Sequence, residues 1–155
     1  MTQEVEAARR EFLTCRLGDE TYGLDILQVQ EIREVNEVTR VPHVASYVRG
    51  VINLRGAIVP IVDLGLLFGF AEPLPIANAS AIVLDSGGRR VGLVVSSVSD
   101  VIALAEHEIA ATPDLGARAV GAAISGISTS SAAGAASVLL LDVDYLMRRI
   151  REERA

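Results

Sequence analysis

Glu31 and Arg55 are the two side chains whose types and surroundings suggest a fixed geometry. Glu31 stands in Val29-Gln30-Glu31-Ile32, where a carboxylate among apolar residues is either solvated or paired with a cation. Arg55 is the cation to choose, because Gly50 and Gly56 bracket Asn53-Leu54-Arg55 and glycine permits a positive φ or the close approach of another backbone. A guanidinium meets a carboxylate with two parallel N–H donors, which an ammonium cannot do. Such a pair sets a register rather than driving a reaction. The remaining reactive types are poorly arranged for catalysis. Cys15 falls on the apolar face of an alternating run and reads as a small core residue. His43 has no Cys, His or Asp at metal-ligand spacing, and His107 lies between Glu106 and Glu108, which are too close in sequence to converge on one ion. No GxxxxGK[ST], GxGxxG or GxSxG pattern occurs, so neither an enzyme nor a bound cofactor or metal is expected.

The elements that must position the pair are strands. Ala57 to Val62 is an apolar run, and Pro60 within it cannot donate to a ladder, so this strand is expected at an edge, a bulge or a bend. Upstream, Leu13, Cys15 and Leu17 alternate with polar residues, Gly18-Asp19 supplies a turn, and Tyr22, Leu24 and Ile26 alternate again, which is a hairpin. Asp25 to Ile32 begins as a helical turn and leaves as a strand. Val35 to Val41 reads as a further strand stopped by Pro42, and Ser46 to Gly50 as a short turn or loop. Gly65 to Ala79 is loop-like, with Gly65, Gly69, Pro73 and Pro75 as punctuation.

Ala81 to Leu84 and Val91 to Val95 flank a strong hairpin signal at Asp85 to Arg90. Strands follow at Asp100 to Leu104, Ile124 to Ser128 and Val138 to Leu141, with Glu106 to Pro113 irregular and a small-residue loop at Thr129 to Ala136. Asp142 or Asp144 can cap a final helix in which Val143, Leu146, Met147 and Ile150 form one apolar stripe expected to pack across the β lobes. There is an internal echo. Gly50-Val51-Ile52 leading to Ile61-Val62-Asp63-Leu64 resembles Gly126-Ile127 leading to Leu140-Leu141-Asp142-Val143, which suggests two small barrels side by side.

Composition agrees and narrows the function. Hydrophobic residues make up 50% of the 155 and aromatics only 4%, so the core is built from Val, Ile, Leu and Ala, which favours strands. A formal net charge of -6 without a concentrated basic surface argues against nucleic-acid binding. Arg148, Arg149, Arg151 and Arg154 sit where the final helix ends and complement its dipole. A single cysteine rules out an internal disulfide, and the N-terminus lacks the pattern of a secretion signal, so a cytoplasmic setting is expected. Ala119 to Leu141 is free of charge, but its middle is Ser, Gly, Thr and Ala, which reads as two strands around a loop rather than a membrane span.

The runs VQEI at Val29 to Ile32, VTRVP at Val38 to Pro42, YVRGVINLRGAIVPIVDL at Tyr47 to Leu64 and VGLVVSSVSDV at Val91 to Val101 resemble the CheW family of bacterial chemotaxis coupling proteins. The resemblance covers about Phe12 to Ile150. It implies a mainly β fold of two five-stranded SH3-like barrels with short helices and a C-terminal helix. This is a single CheW-like domain over residues 12–150, with 1–11 a flexible or loosely docked lead-in. The implied function is that of a non-enzymatic adaptor joining methyl-accepting chemoreceptors to the CheA histidine kinase in membrane-associated arrays.

The matching receptor-binding positions are Val29, Glu31, Ile32, Gly50 and Arg55, whereas contacts of the second barrel with the kinase regulatory domain are not assigned to residues. The chain is expected to be cytoplasmic, recruited to arrays, without membrane insertion, and a monomer when isolated. An equivalent adaptor of a pathway controlling pili or gene expression, and a small-molecule-binding cleft, are the alternative readings. Ser96, where the family often has an aspartate, and the loop around Ser130 to Ala136 depart from the family pattern.

Overall fold

Period-two alternation governs the chain, and the described residues form eleven strands in two sheets. The computed structural model describes residues 9–112, 123–128 and 137–152. The strands are β1 (Arg10–Leu17), β2 (Glu20–Asp25), β3 (Val29–Val35), β4 (Val48–Leu54), β5 (Ala57–Asp63), β6 (Ala79–Ser86), β7 (Arg89–Val95), β8 (Ser97–Leu104), β9 (Ile109–Ala110), β10 (Ile124–Ser128) and β11 (Val138–Leu141). A short helix α1 (Leu64–Leu67) follows β5, and the helix α2 (Val143–Glu152) follows β11. One sheet has the order β3-β6-β7-β5-β4, the other β8-β1-β2-β11-β10-β9. The two-lobed β architecture is as expected, with the two-residue β9 adding a sixth strand to the second sheet.

The echo in the sequence is a full structural repeat, and each lobe is built from both copies. The first repeat, residues 10–67, runs from β1 to α1; the second, residues 79–152, from β6 to α2. Hairpin β6-β7 of the second repeat is completed by β3, β4 and β5 of the first, while hairpin β1-β2 of the first is completed by β8, β10 and β11 of the second. Equivalent details recur in both lobes. The last strand of each repeat pairs in parallel with a hairpin strand of the other, Ile61 opposite Gly92 and Leu140 opposite Gly23. Both glycines leave room for the facing residue, since a Cβ on Gly92 would stand 2.8 Å from Ile61 Cδ1 and one on Gly23 2.9 Å from Leu140 Cδ2. β4 bulges between Val48 and Gly50, and β10 between Ile124 and Gly126.

The helix starts match as well. Asp63 N donates to Tyr47 O at 2.8 Å, and Asp142 N to Ala123 O at 2.7 Å. Asp63 Oδ1 then accepts Leu66 N at 3.0 Å, and Asp142 Oδ1 accepts Tyr145 N at the same distance, so each aspartate caps the helix that follows it. The apolar stripe of α2, Val143, Leu146, Met147 and Ile150, is buried in one cluster with Leu13, Cys15 and Leu17 of one lobe and Ile82, Leu84 and Leu93 of the other. The helix does pack across both lobes.

Four local expectations are corrected. The strand expected over Val35 to Val41 ends at Val35, and only Thr39 forms a bridge, to Val51. The turn or loop expected over Ser46 to Gly50 is already strand from Val48. Pro60 does not place β5 at an edge, because β5 lies between β4 and β7. Its missing N–H costs nothing there: Val51, opposite Pro60, exchanges its backbone bonds with Thr39, and the ladder to β7 begins only at Ile61. Within the Gly65 to Ala79 loop, the first turn is helical because Asp63 caps it. The Thr129 to Ala136 loop and Arg154 lie outside the described residues.

The two caps differ in one respect. Asp63 is fully buried, and its Oδ2 also accepts Leu74 N at 2.7 Å and Arg49 Nη1 at 3.2 Å. Removing one partner of a buried pair leaves a charge uncompensated, so Asp63→Ala is expected to destabilise by ~3–5 kcal/mol. Asp142→Ala loses only a cap, at ~1 kcal/mol. Urea unfolding of both variants measures the difference, and equal losses would show that Asp63 is no more than a cap.

Candidate functional site

The five-stranded sheet has two edges, β3 and β4, and one ion pair joins them. Arg55 occupies the two-residue turn between β4 and β5 at φ 52, followed by Gly56 at φ 90. Two consecutive positive φ values give the twist that a tight hairpin requires, although an arginine there is held against its preference. Asn53 helps to hold it, since its Oδ1 accepts Gly56 N at 2.9 Å. From this turn Arg55 Nη2 donates to Glu31 Oε2 on β3. The other carboxylate oxygen, Oε1, stands 3.6 Å from Arg33 Nη1. Hydrogen bonding from Arg55 is the main cause that holds the Glu31 carboxyl below its ordinary range; desolvation opposes it, and the charges of Arg55 and Arg33 add to the lowering.

Apolar side chains flank this seam. Ile32 is 49% exposed on β3, and Ile58 is 64% exposed on β5, two residues from Pro60 on the same face. Pro60 lines an apolar groove of about 230 Å³ together with Val41, Val44, Val48, Val51 and Ile150. Large exposed apolar residues next to a groove are the mark of a surface that another protein covers.

Of the five expected site residues, the structure brings Glu31 and Arg55 into direct contact and places Ile32 beside Glu31 on the same edge strand. Val29 is half-buried at the β3 bulge and packs against the central core. Gly50 is buried in β4 and is not part of the charged cluster. A Cβ there would stand 2.5 Å from Thr39 O, so Gly50 acts by letting residue 39 bridge to β4. Ile58, Arg33 and the groove residues were not legible as site residues. Ala57 to Val62 reads as uniformly apolar, and only the register against β4 shows which of its side chains face outward.

The remaining reactive groups serve structure. Burial pushes the Cys15 thiol up to about 12, which keeps it from being a thiolate at neutral pH. Glu108 Oε1 accepts Ala105 N at 2.8 Å and so turns back on its own 3-10 turn. Among the described residues, no three His, Cys, Asp or Glu side chains converge as metal ligands would. Ser96, the departure noted above, accepts Gly18 N on its Oγ at 3.2 Å and thereby ties the β7-β8 junction to the β1-β2 turn.

Fold and site together define an interaction module built of two interlocked barrels. The CheW-like domain model matches residues 11–151. A chemotaxis protein CheW of Klebsiella aerogenes is 40% identical over 142 residues, 92% of this chain and 84% of that protein. The chemotaxis protein CheW of Rhizobium meliloti is 41% identical over 106 residues, covering 68% of each chain. The crystal structure of the scaffolding protein TtCheW from Thermoanaerobacter tengcongensis superposes with a TM-score of 0.76 at 28% identity, covering 86% of this chain and 88% of that one. The chain belongs to the CheW family, whose members are non-enzymatic scaffolds of chemotaxis.

The lowered carboxyl of Glu31 gives a pH test. A group whose folded pKa is depressed contributes stability above its unfolded value and loses it as pH falls through the folded value. Glu31→Gln is therefore expected to melt below the parent near neutral pH, with the gap closing below about pH 4. Calorimetry across that range checks it, and a gap that does not depend on pH would show that the charge of Glu31 contributes nothing.

Proposed function

We propose that this chemotaxis adaptor joins the cytoplasmic tip of a methyl-accepting chemoreceptor to the regulatory domain of the CheA histidine kinase, and that the receptor docks at the seam of the five-stranded lobe. The carrying observation is the exposed ion pair with Ile32 and Ile58 exposed on the strands that hold it, together with an apolar groove lined by Pro60 further along β5. Apolar burial supplies most of the association free energy, at roughly 25 cal/mol per Å² before ordering costs. The ion pair sets orientation, since an exposed pair contributes only about 0–1 kcal/mol. Val29 and Gly50 support the surface through packing and backbone shape, and Glu31, Ile32 and Arg55 face the receptor. The kinase contact falls on the other lobe.

On this reading the isolated chain is a monomer of the cytoplasm that is recruited to membrane-associated arrays by its partners. Among the described residues, no helix is long and apolar enough to cross a membrane.

Pull-downs with a receptor cytoplasmic fragment and with the CheA regulatory domain, each alone, test the adaptor role; binding to both is expected. Arg55→Glu, which sets two carboxylates against each other, is expected to weaken receptor binding by about tenfold or more, roughly 1.4 kcal/mol, while kinase binding is retained. The double reversal Glu31→Arg with Arg55→Glu restores the pair's attraction but not its direction, so it recovers stability without recovering receptor affinity. Full receptor affinity in both variants would overturn the site.

A further inference from the structure

We propose that a second copy of this chain can take the place of either repeat, so that two chains close reciprocally into an exchanged dimer carrying two complete adaptor bodies. The inference rests on how the lobes are made. Neither repeat closes a lobe by itself: β3 and β5, the latter carrying β4, find their partners in the second repeat's hairpin, and β8 and β11, the latter carrying β10, find theirs in the first repeat's hairpin. Every one of these pairings can form between chains with the register it has within one.

The two repeats are linked covalently by residues 68–78 alone, and that link is docked on the first repeat. Gly69 N donates to Leu66 O, Phe70 N to Gly65 O and Leu74 N to Asp63 Oδ2, while Asn78 N donates to Asn36 Oδ1 at 3.3 Å. The second repeat begins immediately afterwards, at Ala79 opposite Val35. The hinge is therefore Asn78, which sits at φ 62, a left-handed conformation that turns the chain back on itself. An extended Asn78 sends the second repeat away from its own first repeat and into that of another copy. Glu31 and Arg55 both belong to the first repeat, so each body of the exchanged dimer keeps the seam intact.

The test uses the full chain in tagged and untagged forms. Each is unfolded in denaturant, and the two are refolded together at low and at high protein concentration, or refolded apart and then mixed. The expected result is monomer at low concentration and a dimer fraction at high concentration that contains both forms only after refolding together. Asn78→Pro, which can neither hold a positive φ nor donate from its nitrogen, is expected to raise that fraction several-fold, and Asn78→Gly to lower it.

A direct readout replaces Glu34 and Ser80, which face each other across the repeats, by cysteines in a Cys15→Ala background. Oxidised exchanged dimers stay covalent in detergent without reductant, whereas dimers of self-closed chains fall apart. Absence of a dimer at every concentration, a dimer that forms on mixing folded chains, or a dimer that separates in detergent after the disulfide has formed would each overturn the proposal. The parent chain decides the matter if Asn78→Pro does not fold.

Discussion

Everything in this molecule depends on edge satisfaction between two repeats. A two-stranded hairpin is at best marginal in water, and a strand edge left open is a liability. Here each repeat offers a hairpin and a set of strands that fit the other repeat's hairpin, and the contacts that complete one lobe are mirrored in the second. The parallel pairings of β5 with β7 and of β11 with β2 are where the exchange is locked, and both require glycine on the hairpin strand. Because the same exchange builds both lobes, the buried cluster between them draws on β1, β2, β6, β7 and α2 together. Neither lobe can loosen without disturbing the other, which is the rigidity that a scaffold needs.

The functional seam is a by-product of that closure. When the five-stranded sheet curls, its two edges approach each other, and the gap between them must be bridged by something other than a ladder. Glu31 and Arg55 bridge one end, while Thr39 contributes a single β-bridge on Val51 further along. The ion pair has little free energy to offer because it is exposed, so its value is geometric: it fixes where the β4-β5 turn stands relative to β3. The turn carries Arg55 in a strained conformation, and Asn53 and Glu31 together over-determine it. On the proposed reading, a receptor meets a guanidinium that is already in place, so less ordering entropy is lost on docking.

Much of this was legible in the sequence, and the reasons for the failures are physical. VQEI and NLRG marked the ion pair because an arginine between glycines and a carboxylate among apolar residues are local signals. The hairpins at Gly18-Asp19 and Gly87-Gly88, the amphipathic stripe of α2 and its aspartate cap were local too. What failed was set at long range. An edge, a bulge or a bend at Pro60 were left open together because sequence does not show that its neighbour Val51 turns to Thr39 for its hydrogen bonds. α1 has four residues, too few for a periodic pattern, and exists through the buried carboxylate of Asp63. The echo around Gly50 and Gly126 suggested two small barrels side by side, but not that each is built from both halves, because strand exchange between halves leaves no trace in either half alone.

The repeats have also diverged, and the divergence explains how one fold presents two different surfaces. By register, Val98-Ser99-Asp100-Val101 on β8 is the counterpart of Val29-Gln30-Glu31-Ile32 on β3: Val98 faces Cys15 and Val29 faces Leu84, each two residues before its hairpin strand ends. Val101 is exposed to nearly the same degree as Ile32. Asp100, however, is used differently from Glu31. Its backbone N and O both bond to the hydroxyl of Thr14, at 3.0 and 2.7 Å, so the bulge of β8 is held from inside by a buried threonine where the bulge of β3 is left to a surface ion pair. The segment that would correspond to the Arg55 turn contains no arginine. One lobe therefore exposes a fixed guanidinium beside apolar side chains, and the other an apolar strand face without it. On the proposed reading, this difference is what lets two repeats of the same strand order meet two partners of different chemistry.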